Sequence, residues 1–323
     1  MLELENKLRK YFGVRHVFFV SNGTIALQIA IKALELKNEV ITTPFSFVAT
    51  TSSLVWENCR PIFADIESDT LTINPDEIEK KITKETTGIV ATHVYGYPCQ
   101  VEKIKNIATK NNLKVIYDAA HAFGVKFQDK SILNYGDISI LSFHATKIFH
   151  TVEGGAIVTN NDELAKKLVY MRSFGFKTIE SFQGLGINGK NSELHAAMGL
   201  CLLPKMKKII NKRKEISEQY DKLFRGLNID RPKMRENTEY NYSFYPIILP
   251  SEEVLNKVVE SLKAQYVFPR RYFYPSLNKL EYVASQVAPI SEDISRRVLC
   301  LPLYYNLKED DIRAITRIIR QNL

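Results

Sequence analysis

The chain has 323 residues, 45% of them hydrophobic and 25% charged, with a formal net charge of +8. That composition fits a globular protein with room for one large domain and a smaller one, and it excludes a low-complexity chain. No stretch reaches the roughly 20 apolar residues of a membrane helix, and the charged opening MLELENKLRKYFG is no secretory signal, so a cytoplasmic protein without a membrane partner is expected.

From the N-terminus, short apolar strands alternate with helical patterns. HVFFV (16–20) precedes TIALQIAIKALEL, whose apolar residues recur at helical spacing, and EVITT, PIFADI, TGIVATHV and KVIYDAA follow, separated by amphipathic stretches such as PDEIEKKI and VEKIKNIATKNN. Largely apolar strands alternating with helices predict a parallel or mostly parallel sheet covered on both faces. After Asp137 the rhythm changes. ISILSF and GGAIVTN lie too close together for an intervening helix and are expected to be neighbouring strands of the same sheet. A helix over 162–173 follows, then a long one from near Ser192 to about Tyr220, broken near Pro204. Residues 1–205 are read as a large α/β domain and 206–323 as a smaller α+β domain, with YSFYPIIL as a strand and EEVLNKVVESLKA and DDIRAITRIIRQ as helices.

The positive charge is interleaved with acids, as in KKITKETTG and NLKEDDIRAITR, which describes solvated helix faces and not a nucleic-acid surface. A local basic site for a small anionic substrate stays open. The four cysteines form no CxxC pair and the six histidines show no HExxH spacing, so neither a disulfide framework nor a metal site is expected.

Four features of the large domain converge. SNGTIAL ends a strand and opens a helix at Gly23 and Thr24; a helix N-terminus with free N–H groups suits a phosphate, although Ser21, Asn22 and Thr24 are also ordinary capping residues. In KVIYDAAHAFG, Asp118 ends an apolar strand, where a carboxylate is costly unless it caps a helix or meets a cation such as a protonated ring nitrogen, and His121 can reach the same ligand. TTPFSFVATTSS sets Phe45 and Phe47 after a strand, as core or as a face for a flat cofactor. SFHATKIFHTVEGGAIVTN carries Lys147, with Ser142 ahead of it as a second phosphate donor. A phosphate cradle, a carboxylate, an aromatic lid and a lysine are together what pyridoxal phosphate requires.

The chain resembles the nucleotide-sugar aminotransferases of the DegT/DnrJ/StrS type, within the fold-type I pyridoxal phosphate enzymes. The likeness runs nearly end to end through SNGTIAL, TTPFSFVAT, PIFADIESDTLTINPDEIEKKIT, THVYGYP, DAAHAFG, SFHATK with EGGAIVTN, GINGKNSELHAAMGL and LPL. It implies a seven-stranded-type sheet domain plus a small C-terminal domain, and a homodimer with shared active sites. It implies that Lys147 binds the cofactor covalently and moves the proton, Asp118 pairs with the pyridinium nitrogen, and His121 lies near the ring hydroxyl. Phe47 would stack on the ring, while Gly23, Thr24 and Ser142 would hold the phosphate and Asn188 would approach from the partner. The implied reaction moves an amino group from L-glutamate to a keto group on a nucleotide-linked deoxysugar, with the cofactor alternating between pyridoxal and pyridoxamine phosphate. SFHATK with EGG and PRRYFYPSL is similar to members forming dTDP-4-amino-4,6-dideoxyglucose, in surface-polysaccharide (O-antigen, lipopolysaccharide) biosynthesis. Arg270, Arg271, Tyr272 and Tyr274, together with Lys190, then become candidates for substrate contact. Two departures from the family pattern stand out: Lys190 occupies a place where arginine is usual, and the chain begins almost directly at the helix before SNGT. Amination at the 3-position, and a cofactor-binding regulatory role without turnover, are the alternatives.

Overall fold

The structure is a computed structural model describing residues Met1–Leu323. Helix α1 (Leu2–Phe12) buries Leu4, Leu8 and Phe12, one face at four-residue spacing, and ends at Gly13, whose φ of 62° supplies the left-handed cap. There follow β1 (His16–Val20), α2 (Gly23–Ala33), β2 (Asn38–Thr42), α3 (Val48–Trp56), β3 (Cys59–Phe63), α4 (Pro75–Lys81), β4 (Thr86–Thr92), α5 (Val101–Lys110), β5 (Lys114–Asp118), β6 (Ile138–Ser142), β7 (Gly155–Thr159) and α6 (Asp162–Met171).

The seven strands form one sheet in the order β1-β7-β6-β5-β4-β2-β3. Six run parallel and β7 alone is inverted, pairing antiparallel with both β1 and β6. The inversion has a local cause. Parallel neighbours need a crossover of about a dozen residues or more, usually a helix, whereas the loop after β6 returns directly to the sheet as the sequence led us to expect. Both faces are covered. Val115 and Tyr117 of β5 pack with α1 and α5 residues such as Leu8 and Ile104, while Ile116 between them packs with Ala26 and Ile29 of α2 and Leu168 of α6.

Beyond the sheet come α7 (Glu193–Leu202), a single 3₁₀ turn at Leu203–Lys205 that contains Pro204, and α8 (Met206–Phe224). The break predicted at Pro204 is that turn. Next are β8 (Tyr245–Ile248), α9 (Glu252–Lys263), α10 (Pro289–Arg297), β9 (Val298–Leu301) and α11 (Glu309–Gln321), with β8 and β9 paired antiparallel. Tyr220, Leu255, Leu299 and Ile315 belong to their core. Met206, at the start of α8, still packs in the core of the large sheet, while Ile216, Tyr220 and Phe224 lie in the C-terminal core.

Two polar clamps join the parts. Asp65 accepts from the backbone N–H groups of Ile290 (2.8 Å) and Ser291 (2.9 Å) at the start of α10, a carboxylate on a helix N-terminus. Glu67 pairs with Arg235 and accepts from Thr70 and Gln100. No helix is long and apolar enough to cross a membrane.

Candidate active site

The loop from Phe143 to Gly154 leaves the carboxyl edge of the sheet at β6. Phe143 and Phe149, four residues before and two after Lys147, are fully buried; Phe149 stacks on Phe123 at 4.3 Å and meets Phe143 edge-on at 4.9 Å. Two backbone hydrogen bonds close the base of the loop, Phe143 N to Gly154 O (2.7 Å) and Thr151 N to Phe143 O (2.9 Å). The lysine therefore rises from a segment anchored on both sides.

Glycines make the second wall. A Cβ on Gly155 would stand 2.5 Å from the backbone of Asn22, and one on Gly23 would stand 3.1 Å from Cβ of Ser142. The start of β7, the end of β6 and the first turn of α2 thus converge more closely than larger residues permit. Asn22 caps α2 by accepting from Ile25 N (2.8 Å). The earlier N–H groups of Gly23 and Thr24 have no acceptor within the helix, and Gly23 lies against Ser142, an arrangement that suits an anion.

The third wall is the end of β5. Asp118 is only 5% exposed; its Oδ2 accepts from Thr50 Oγ1 (2.7 Å) and its Oδ1 from Ala120 N (3.1 Å). Burial raises its pKa, against the lowering effects of the Thr50 and Ala120 hydrogen bonds and of the Lys147 charge. In the same surroundings, burial lowers the Lys147 pKa to about 8, with Asp118 pulling the other way. His121 is 5% exposed, and its Nδ1 accepts from the backbone N–H of Tyr95 (3.1 Å), which fixes the proton of the neutral ring on Nε2. Burial, then the Lys147 charge, hold the His121 pKa well below the usual histidine value. Tyr95 can offer that N–H because its φ is 56°, a left-handed conformation uncommon outside glycine.

The two phenylalanines of the 42–50 segment divide. Phe45 is fully buried against Tyr95 and Phe273, while the Phe47 ring, at the N-terminus of α3, is 54% exposed.

Lys147 also lines a cavity of about 1740 Å³ between the large sheet and the C-terminal elements, together with His150, Phe244, Arg270 and Tyr272. Arg271 and Tyr274 are not in its lining, which separates four candidates that the sequence treats alike. The Arg271 guanidinium donates to Glu252 (3.1 Å) and to the backbone carbonyl of Arg296 (3.2 Å) and lies 3.7 Å above the Tyr274 ring, so both side chains are engaged in holding α9 and α10. Arg270 pairs through its backbone with Cys300 and keeps its side chain exposed. Asn188 and Lys190 are exposed as well, on the strand-like segment bridged to Ser173, and no contact joins them to Lys147 or Asp118 within the chain. The residue that sequence reasoning missed is Thr50: its hydroxyl lies inside the quoted TTPFSFVAT motif, but only the fold reveals that it meets Asp118.

A family model describing the DegT/DnrJ/EryC1/StrS aminotransferases matches residues 1–320. The chain belongs to that family. It is 42% identical to the dTDP-4-amino-4,6-dideoxy-D-glucose transaminase of Shigella dysenteriae, over 99% of this chain and 89% of the relative, and 37% identical to the Escherichia coli protein of the same name, over 98% and 88%. Among solved structures it superposes on DesI, crystallised with its TDP-sugar product, with a TM-score of 0.94 and 31% identity, covering 99% of this chain and 83% of that one. Helicobacter pylori PseC, an aminotransferase of pseudaminic acid biosynthesis, gives 0.92 and 27%, with 99% and 90% covered. The fold is that of the fold-type I enzymes, and this DegT/DnrJ/EryC1/StrS aminotransferase is a pyridoxal-phosphate-dependent sugar transaminase. Its residues fit the cofactor. The glycines let the first turn of α2 approach Ser142 and the start of β7 closely, gathering the free N–H end of the helix and the Ser142 hydroxyl as a phosphate requires; the buried carboxylate is able to meet a ring cation, and the amine is depressed towards neutrality.

Proposed function

We propose that the enzyme transfers the amino group of L-glutamate to C4 of a nucleotide-linked 4-keto-6-deoxyhexose, dTDP-4-keto-6-deoxyglucose, giving dTDP-4-amino-4,6-dideoxyglucose for cell-surface polysaccharide in the cytoplasm. The observation that carries this reading is the Lys147 amine, which shares one buried site with Asp118 and opens on the large cavity lined by Arg270 and Tyr272. The names and the identity of the Shigella and Escherichia relatives support the choice of sugar.

In this reading Gly23, Thr24 and Ser142 hold the cofactor phosphate, Phe47 covers one ring face, Asp118 meets the ring nitrogen, and His121 offers its Nε2 proton to the ring hydroxyl. Bound there, pyridoxal phosphate supplies the electron sink and carries the amino group between donor and acceptor. Lys147 attaches the cofactor through Nζ. When not so engaged, the same Nζ would serve as the base and acid of the reaction, holding the proton taken from the donor α-carbon in one half-reaction and supplying one at C4 of the sugar in the other. Arg270 and Tyr272, on the cavity wall, receive the nucleotide diphosphate and base; Arg271 and Tyr274, occupied elsewhere, are not assigned to it.

The working unit in this reading is a homodimer. The strand pair Phe176–Thr178 and Ser181–Phe182 forms an arm whose Ile179 is 91% exposed and Phe182 68% exposed, beside exposed Phe174 and Leu185. An apolar arm of this kind calls for a covering surface. A second copy supplies one, and the arm then delivers Asn188 to the partner's cofactor and Lys190 to the side where its substrate binds.

The test is direct. Protein loaded with pyridoxal phosphate is given L-glutamate and a panel of dTDP-, UDP- and GDP-linked ketosugars, and the product is identified by mass spectrometry and NMR. A 4-amino product from the dTDP sugar supports the reading. Turnover with a 3-ketosugar alone replaces it with 3-amination, and cofactor binding without turnover replaces it with a regulatory role.

A further inference from the structure

Behind Asp118 lies a chain of three buried hydroxyls that the reaction as described does not use. Thr50 Oγ1 is 2.7 Å from Asp118 Oδ2, Ser46 Oγ is 2.8 Å from Thr50 Oγ1, and Thr92 Oγ1 is 3.0 Å from Ser46 Oγ. The three residues come from the loop after β2, the first turn of α3 and the end of β4, and all are nearly inaccessible to solvent. Each hydroxyl has one proton to give. An ionised Asp118 can only accept, so Thr50 must donate to it, Ser46 must then donate to Thr50, and Thr92 to Ser46. Every proton in the chain points towards the carboxylate, and aligned hydrogen bonds of this kind strengthen one another. If Asp118 carried a proton on Oδ2, the chain would have to reverse.

We propose that Thr50, backed by Ser46 and Thr92, is a positioning residue for Asp118: the hydroxyl chain keeps the carboxylate ionised and fixes its rotation, and so keeps the shared proton on the ring nitrogen of the cofactor. The last clause rests on the reading that Asp118 faces that nitrogen; the effect on Asp118 itself does not. Burial alone favours the protonated acid, and the hydrogen bond from Thr50 heads the influences that oppose it, followed by the bond from Ala120 N and the Lys147 charge. The other titratable groups nearby leave the carboxylate oxygens free. The Cys99 thiol is buried in the chain that follows β4 and bonds to the Thr92 carbonyl, and His121 Nδ1 is taken by Tyr95.

The experiment is a pH titration of the Asp118 carboxyl carbon by ¹³C NMR, in the full-length cofactor-free chain labelled at aspartate and assigned with Asp118→Asn. It compares wild type with Thr50→Val, Thr50→Ser and Ser46→Ala. Losing a hydrogen bond to a charged group corresponds to a change of about tenfold or more in proton affinity. Thr50→Val is therefore expected to raise the affinity of Asp118 for a proton by at least about tenfold, Ser46→Ala by less, and Thr50→Ser is expected to restore the wild-type value. An unchanged titration in folded Thr50→Val overturns the proposal; if that variant does not fold, an unchanged titration in Ser46→Ala does so. The loaded proteins are then titrated by visible absorption. A shift of the cofactor's spectral transition in Thr50→Val, reversed in Thr50→Ser, supports the full chain from hydroxyl to ring. A wild-type spectrum and cofactor affinity in Asp118→Asn, alongside a shifted Asp118 in Thr50→Val, overturns the placement of Asp118 at the ring and with it the proposal's last link.

Discussion

Gly155 and Asn22 share a space that admits no side chain: a Cβ on Gly155 would lie 2.5 Å from both the carbonyl carbon and the oxygen of Asn22. The strand after the lysine loop and the turn before α2 are therefore built against each other. Gly155→Ala should force one of them aside. The expected cost is about 1–3 kcal/mol of stability, and the opened turn should also weaken cofactor binding. Chemical denaturation and a pyridoxal phosphate titration measure the two effects, and retention of both wild-type values would falsify the close-packing account.

A half-buried amine without its cofactor is a burden on the fold. The Lys147 pKa is lowered to about 8 in the folded chain from 10.5, so the folded state binds that proton less tightly than the unfolded state does. The cost is fully present below pH 8 and disappears as the pH rises from about 8 to 10.5. Cofactor-free Lys147→Met should thus be more stable than wild type near pH 7, by up to about 3 kcal/mol, and the gap should close at alkaline pH. Urea melts at pH 7 and pH 10 test this.

The same amine sets the pH dependence of cofactor loading. Only neutral Nζ attacks a carbonyl, so the rate of attachment should rise about tenfold per pH unit at low pH and level off near pH 8, with no continued rise towards 10. Stopped-flow absorbance of cofactor-free protein mixed with pyridoxal phosphate follows it.

Arg270 and Arg271 are neighbours in sequence and opposites in position. Arg270→Ala should raise KM for the nucleotide sugar by about tenfold or more, the loss of a charge-assisted contact, with little change in thermal midpoint. Arg271→Ala should do the reverse, leaving KM near wild type while lowering the midpoint, because Glu252, the Arg296 carbonyl and the Tyr274 ring lose their partner. Steady-state kinetics and calorimetry on both variants decide between them.

Glu67 is gripped by Arg235, Gln100 and Thr70 where the two parts of the chain meet. Arg235→Met leaves that carboxylate poorly compensated, and a loss of about 3 kcal/mol or more is expected. It should exceed the effect of breaking an exposed pair such as Lys166–Glu163.

Much of this was legible in the sequence. The strands were visible because sheets covered on both faces demand unbroken apolar runs, and β6 and β7 were recognisable as neighbours because too few residues separate them. Lys147, Asp118 and the Gly23 turn stood out because each is costly or unusual where it sits. Thr50 did not, since a threonine in a helix gives no outward sign that its hydroxyl faces inward to a carboxylate. Nor did the roles of Phe143 and Phe149, because a phenylalanine on either side of a lysine reads as ordinary core until the loop closes around it. Arg270 and Arg271 could not be told apart either, since which of two adjacent side chains faces a cavity depends on a backbone path that contains no regular repeat.

Helix α8 has its first residue in one hydrophobic core and its last turns in the other, without interruption. A continuous rod of 19 residues spans about 28 Å, and the clamps at Asp65 and Glu67 add further ties between the two parts. With α8 rooted in both cores, the two halves are expected to swing little against each other. Substrates should meet a cleft already at its final width, so their capture should be limited by diffusion and desolvation, and scattering profiles recorded with and without ligand should overlay.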